Sequence, residues 1–287
     1  MNTQITDIDS YILQWLTTKK ILDLRLISCY YNKLILNYNL IIKIKNAHHI
    51  QNLAHCSNIC FNIDMKDAGS ITTYDNVIAI KTSSLIKQMY VRIEKFTNLT
   101  ALSLSRYNII SRQSLHNLTK ISSLTIYTNQ YITVNSISHL TNLTKLHISY
   151  SVTDMSDDNL SYLTKLFNLY VNNNNNITGT CFKNLTNITK LKIYHCSNIT
   201  SFSELIFLTN LTLLTLYPNP YLTDEKLRYL TNIRSLDIDQ KTKNYNITYH
   251  GISNMTNLKN ISCRKTLIKA PDIQKMTNII YFNDSFF

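Results

Sequence analysis

One nine-residue phrase returns from residue 96 onward, and its cadence constrains the fold more than any other feature. It reads Phe96-TNLTALS-Leu104, Leu118-TKISSLT-Ile126, Leu140-TNLTKLH-Ile148, Leu163-TKLFNLY-Val171, Leu185-TNITKLK-Ile193, Leu208-TNLTLLT-Leu216, Leu230-TNIRSLD-Ile238, Met255-TNLKNIS-Cys263 and Met276-TNIIYFN-Asp284. Successive copies start 22, 22, 23, 22, 23, 22, 25 and 21 residues apart. Within a unit the pattern is L-x-x-L-x-L-x-x-N, then x-x-I-T, then x-x-x-L-x-x-L. The unit beginning at Leu211 shows it whole: Leu211, Leu214, Leu216, Asn219, Leu222-Thr223, Leu227 and Leu230. The step of two from Leu214 to Leu216 puts both side chains on one face of a short strand. The step of three from Leu227 to Leu230 suits a helical or 3-10 turn, with Thr223 or Asp224 placed to cap it.

A unit of this kind has two apolar faces and nothing of its own to cover them, so successive units must stack and share them. At the Asn station stand Tyr107, Asn129, Ser151, Asn174, Cys196, Asn219, Lys241 and Thr266. Asn, Ser, Cys or Thr there can bond the turn backbone, a structural role. The extra residues of the longest unit are assigned to a loop over 241–246. Asn-x-Thr triplets at Asn98, Asn142, Asn187 and Asn210 read as by-products of the repeat rather than glycan acceptors. A fixed period of this length with this aliphatic spacing resembles the leucine-rich repeat family over residues 96–284. The fold class implied is α/β: a solenoid with a parallel sheet on its concave face and short helices or 3-10 turns on its convex face. The phrase L-T-N-L-T-x-L resembles internalin-type repeats, whereas Cys196-Ser-Asn-Ile-Thr200 and Asn219-Pro-Tyr-Leu-Thr-Asp224 resemble the cysteine-containing repeats found behind an F-box. The repeats leave both open.

The first residues differ. Ile8, Ile12, Leu13 and Leu16 make a helical stripe, resumed by Ile21, Leu24, Ile27 and Leu34 after Thr17-Thr18-Lys19. Asp7-Ile8, Ile12-Leu13, Leu16, Ile21, Arg25-Leu26-Ile27-Ser28 and Tyr31-Asn32-Lys33-Leu34-Ile35 follow the order of an F-box, with Gln4-Ile5 where that family has Leu-Pro and Tyr31 where it has Trp. The resemblance implies that Ile8, Leu13, Leu16, Leu24, Ile27 and Tyr31 dock a Skp1-like adaptor or support the helices that do. The same helices also fit a plain cap on the open end of the stack. Domain boundaries follow: 1–40 F-box-like, 41–95 degenerate early repeats, and 96–287 solenoid. Within the middle segment, Leu53…Ile59-x-Phe61 and Val77-Ile78-x-Ile80 suggest early strands, with 64–74 looping out.

Composition removes several activities. Gly69, Gly179 and Gly251 are the only glycines among 287 residues, so no phosphate-cradling loop can be built. No HExxH or GxSxG string occurs, and catalysis needs such groups within hydrogen-bond reach. The chain is read as non-enzymatic and without a cofactor. His48, His49, His55, Cys56 and Cys60 lack the paired spacing of a zinc site. The six cysteines show no framework spacing and read as reduced hydrophobes, Cys181, Cys196 and Cys263 packing at repeat positions. No signal peptide is visible, and the apolar run 34–44 is broken by Asn37, Asn39 and Lys43, so no membrane association and a cytoplasmic setting are expected. A net charge of +12 attracts phosphate without specifying a site, and no nucleic-acid motif accompanies it.

What remains is the concave face. Residues between and just after the strand leucines point out of the sheet. They include Tyr127, His147, Tyr150, Tyr170, Lys192, Tyr194, His195 and Tyr217, alongside Lys145, Lys190, Asp237, Asp239 and Arg264. Parallel strands lie ~4.8 Å apart, which predicts a contiguous patch of Tyr170, Lys192 and Tyr194. Tyr and Arg are frequent anchors of protein interfaces, so this face is expected to hold a protein partner. The F-box resemblance, shared by proteins of eukaryotes and large DNA viruses, implies that this partner is the substrate of a cullin-type ubiquitin ligase. The alternative is a stand-alone interaction scaffold. Oligomeric state is not specified by the sequence.

Overall fold

A computed structural model describes residues 96–104, 115–127, 132, 137–150, 155–196 and 198–284, together with the backbone of strands at 40–44, 59–64, 77–81, 89–90 and 108–109. The F-box-like residues Ile8, Leu13, Leu16, Leu24, Ile27 and Tyr31 lie outside that set, as do His48, His49, His55 and Cys56. The chain divides into two compact units, Met1–Ser122 and Ser123–Phe287.

In the first unit, β1 (Leu40–Ile44), β2 (Ile59–Asp64), β3 (Val77–Lys81) and β5 (Ala101–Leu104) pair in parallel in that order, with a register shift between Phe61 and Asn62. A separate parallel pair joins β4 (Met89–Tyr90) to β6 (Asn108–Ile109). From Phe96 onward this unit buries Phe96, Leu99, Leu102, Leu104, Leu115, Leu118 and Ile121.

The second unit is built from β7 (Ser123–Tyr127), β8 (Lys145–Ser149), β9 (Asn168–Asn172), β10 (Lys190–Tyr194), β11 (Leu213–Tyr217), β12 (Ser235–Asp237), β13 (Asn260–Ser262) and β14 (Tyr281–Asn283). Each is parallel to the next and in register, so Leu124, Leu146, Leu169, Leu191, Leu214, Leu236, Ile261 and Phe282 form one column. Ile126, Ile148, Val171, Ile193 and Leu216 form a second. Both columns up to Ile261 are buried, which is the physical reason for the sequence period: a slip by one residue would turn every leucine to the other face.

Across the core from the sheet run short helical pieces: α1 (Asp157–Ser161), 3-10 helices Thr180–Asn184 and Phe202–Phe207, α2 (Asp224–Leu227), α3 (Tyr249–Ile252) and α4 (Ala270–Ile273). Pieces this short are not stable alone; burial of Leu160, Phe182, Phe202, Leu205, Leu227 and Ile252 holds them.

Polar ladders run beside the aliphatic ones. The Asn219 side chain donates to the Ile199 carbonyl (3.2 Å) and accepts from the Tyr221 amide (2.9 Å). Cys196 occupies the same station one coil earlier, where its Sγ receives the Asn174 amide at 3.5 Å. In the longest unit the station belongs to Asn244, not Lys241: Asn244 is buried, donates to Leu222 O (3.3 Å) and accepts from Asn246 N (2.9 Å), while Lys241 is exposed. The inserted residues thus precede the station, and only 241–243 of the assigned loop face solvent before it. On the outer edge the Asn of L-T-N bonds the preceding coil: Asn187 to Thr164 O (3.0 Å), Asn210 to Thr186 O (3.2 Å), Asn232 to Thr209 O (2.7 Å) and Asn278 to Thr256 O (2.7 Å).

Three carboxylates join particular coils. Asp157 accepts from Thr178 N (2.7 Å), Thr178 Oγ1 (2.9 Å), Gly179 N (3.0 Å) and Cys181 N (3.0 Å). Asp224 accepts from Thr248 N (2.8 Å) and Thr248 Oγ1 (2.5 Å). Asp239 accepts from Ser262 Oγ (2.9 Å) and Arg264 N (2.8 Å), and pairs with the Arg264 guanidinium at 2.6 Å.

Candidate functional site

The outward face of the second unit's sheet carries the aromatic residues of the repeat. In the third strand column His147, Tyr170, Lys192, Thr215 and Asp237 follow one another across β8 to β12. In the fifth stand Tyr127, Ser149, Asn172, Tyr194 and Tyr217. The rings make a continuous row that changes column as it goes. Tyr127 meets His147 edge-on at 4.9 Å between centroids, His147 lies on Tyr170 at 3.8 Å, and Tyr170 reaches Tyr194 at 5.3 Å. A second pair, His195 and Tyr217, meets edge-on at 5.5 Å. Such contacts stabilise by about 0.5–1.5 kcal/mol beyond burial and fix the rings relative to one another.

Each sequence-derived residue can therefore be placed. Tyr127 is exposed and opens the row; His147, Tyr170 and Tyr194 are half-buried within it. Lys192 sits directly opposite Tyr170 in the strand register. Tyr150 and His195 stand at strand ends with left-handed backbones, φ 54° and 52°, and both are exposed. Asn173 and Lys265 hold the same turn at φ 56° and 61°, so the conformation belongs to the coil and not to a binding residue. Tyr217 pairs with His195 and stays outside the four-ring row.

Small polar residues beneath the rings escaped the sequence reading. Ser149 Oγ lies 3.1 Å from His147 Nε2. Asn172 and Ser149 adjoin the Tyr170 hydroxyl and Thr215 that of Tyr194, each opposing the upward push of burial on the phenol. The available signal was position alone: all three occupy outward columns, where a search for large side chains passes over them.

Burial sets the electrostatics. It pushes the His147 imidazole down to about 4, helped by the positive charge of Lys192, so the ring is neutral at neutral pH. Burial raises the Tyr170 and Tyr194 hydroxyls, the latter further through Asp237. Asp237 is raised by burial and by the charge of Asp239, against the opposing pull of the Asp239 amide, Arg264 and Lys192. The two aspartates thus differ: Asp239 is taken up by Arg264 and Ser262, whereas Asp237 accepts one long bond, from Asp239 N at 3.5 Å. Cys181, Cys196 and Cys263 are free, buried thiols raised above their ordinary value by burial, Cys263 to about 12, which removes thiolate reactivity. Among the described residues no cluster of His, Cys, Asp and Glu is placed to hold a metal ion, and no helix is long and apolar enough to cross a membrane.

Solved structures share the stacked parallel-strand fold. An internalin of Listeria monocytogenes superposes with a TM-score of 0.60 at 20% identity, covering 92% of this chain and 87% of that one. The fold is that of leucine-rich repeat proteins. A leucine-rich repeat protein of Leptospira interrogans superposes with a TM-score of 0.50 at 12% identity, covering 88% of this chain and 85% of that one. By sequence the chain matches no protein-family profile and no curated protein. The likeness is one of leucine-rich repeat architecture.

Proposed function

We propose that this protein is a non-enzymatic binding scaffold whose leucine-rich repeat sheet captures another protein on its outward face. The observation that supports this reading most is the four-ring row from Tyr127 to Tyr194. In the strands of the second unit the aliphatic side chains, Leu213 apart, keep to the core face, yet rings with hydroxyl tips are gathered on the other, beside Lys192. Tyr supplies large contact area at low entropic cost, as interface anchors do. Changing Tyr170, Lys192 and Tyr194 together to Ala should abolish capture of partner protein from a lysate while the melting curve stays close to the parent's. Retained capture refutes the reading.

The finer proposal is that the captured protein is a ubiquitin-ligase substrate and that Ile8, Leu13, Leu16, Leu24, Ile27 and Tyr31 dock Skp1 in the cytoplasm. Its support is the F-box-like order of residues from Asp7 to Ile35. Skp1 co-purifying with the full chain, and lost on removal of residues 1–40, is the expected result. No Skp1 with the intact chain leaves the stand-alone scaffold, the N-terminal helices then serving as a cap.

A further inference from the structure

The chemistry of the sheet face narrows what it can receive; this step rests on the scaffold reading. The rings of Tyr127, His147, Tyr170 and Tyr194 lean on one another at centroid distances of 4.9, 3.8 and 5.3 Å. A planar base sliding between two rings needs a gap of roughly 7 Å, twice the ~3.5 Å of van der Waals contact. No gap in the row reaches that, so no base intercalates within it, and stacking of a base on an outer ring face is left as the competing outcome of the test. The row instead offers ring edges and hydroxyls. Asn172 and Ser149 adjoin the Tyr170 hydroxyl and Thr215 that of Tyr194, and a tyrosine hydroxyl can donate as well as accept. A ligand that suits this surface has flat apolar rings and unpaired carbonyls, the description of a polyproline II segment, whose backbone has no internal hydrogen bonds.

Charge then fixes the ligand's polarity. Lys192 adjoins the row and repels a cation there, while Asp237 lies two strands beyond β10. Two strand spacings are about 10 Å. That is about three residues of polyproline II at ~3.1 Å each. Among the described residues Asp237 has no cation within salt-bridge distance; Arg264 is held by Asp239.

We propose that the sheet face binds an extended proline-rich segment of a partner protein, its prolines crossing the Tyr127–His147–Tyr170–Tyr194 row and a basic residue meeting Asp237.

Anisotropy titrations of the full chain with three labelled peptides test this: oligoproline ending in arginine, oligoproline ending in glutamate, and a glycine-serine oligomer ending in arginine. The net charge of +12 attracts the glutamate peptide and repels the arginine ones. Preference for arginine therefore requires a local carboxylate. The expected result is saturable binding of both oligoprolines, the arginine form about threefold to fivefold tighter, the size of a partly solvated ion pair. The glycine-serine peptide should not bind. Tyr170→Ala should weaken oligoproline binding at least about tenfold, the effect of a lost anchor, and Asp237→Asn should erase the arginine preference while leaving proline dependence. Equal binding of the glycine-serine peptide, tighter binding of the glutamate form, or displacement of oligoproline by single-stranded oligothymidylate would overturn the proposal. If oligoproline fails to bind but the Tyr170, Lys192, Tyr194 triple variant still loses its captured protein, this inference alone falls. If that variant keeps the protein, the scaffold reading falls as well.

Discussion

Asp157 is a carboxylate almost removed from water, and the amides of Thr178, Gly179 and Cys181 with the Thr178 hydroxyl take the place of solvent around it. Burial alone would raise its pKa, yet these bonds win and hold it below the usual carboxylate value. A lowered folded-state pKa means that stability is fully present above pH ~3.9 and is lost as pH falls through the folded value. Asp157→Ala leaves buried amides without an acceptor, so urea unfolding at neutral pH should show a loss of about 3 kcal/mol. His147 acts in the same direction in a higher window. Its contribution is complete above pH ~6.5, where unfolded imidazole is neutral, and is lost as pH falls toward about 4. Unfolding midpoints measured across that range should slope less in His147→Gln. At His195, φ of 52° carries a Cβ penalty of roughly 1 kcal/mol. His195→Gly should therefore keep or slightly raise the melting temperature, while His195→Val lowers it.

At the scale of the coil, the strands were legible because leucines two apart have only one way to share a face. Thus Leu214 and Leu216 fixed β11, and the strands Ile59–Asp64 and Val77–Lys81 stand where the pattern of residues 59–61 and 77–80 put them. The Asn station of the longest coil was misplaced because counting from Leu236 assigns it to Lys241, and an insertion has no periodicity to say on which side it falls. Three-dimensional hydrogen bonding decides: Asn244 bonds coils, Lys241 faces water. Thermal melts should separate them, Asn244→Ala costing about 2 kcal/mol from two lost bonds and Lys241→Ala almost nothing. The outward columns were also readable, but the row was not, since contact between Tyr127 in one column and His147 in another depends on side-chain rotamers that spacing does not fix. Asp157 gave no signal at all, because its burial depends on which amides the next coil happens to present.

For the repeat unit as a whole, nearest-neighbour stacking predicts tolerance to loss of a complete coil and intolerance to loss of part of one. Removing residues 185–207 brings Leu208 into the place of Leu185 and keeps both aliphatic columns. Circular dichroism should show one cooperative transition at a lower temperature, with partner capture gone because Lys192 and Tyr194 are absent. Removing 185–195 alone should leave no such transition.

Coils that present the same leucine column to either side are interchangeable as far as oil is concerned, and docking one turn out of place would satisfy the core almost as well. The acidic clasps forbid it. Asp157 fits the amides ahead of Cys181, Asp239 fits Arg264, and Asp224 fits Thr248 with Gly251 so close that a methyl group there would lie 2.5 Å from the carboxylate. Asp157 and Asp224 each grip the amide and hydroxyl of a Thr one coil on, whereas Asp239 grips Arg264, so a turn docked against a coil that lacks the matching partner would strand its carboxylate without donors. They work as addresses, telling otherwise identical turns their order.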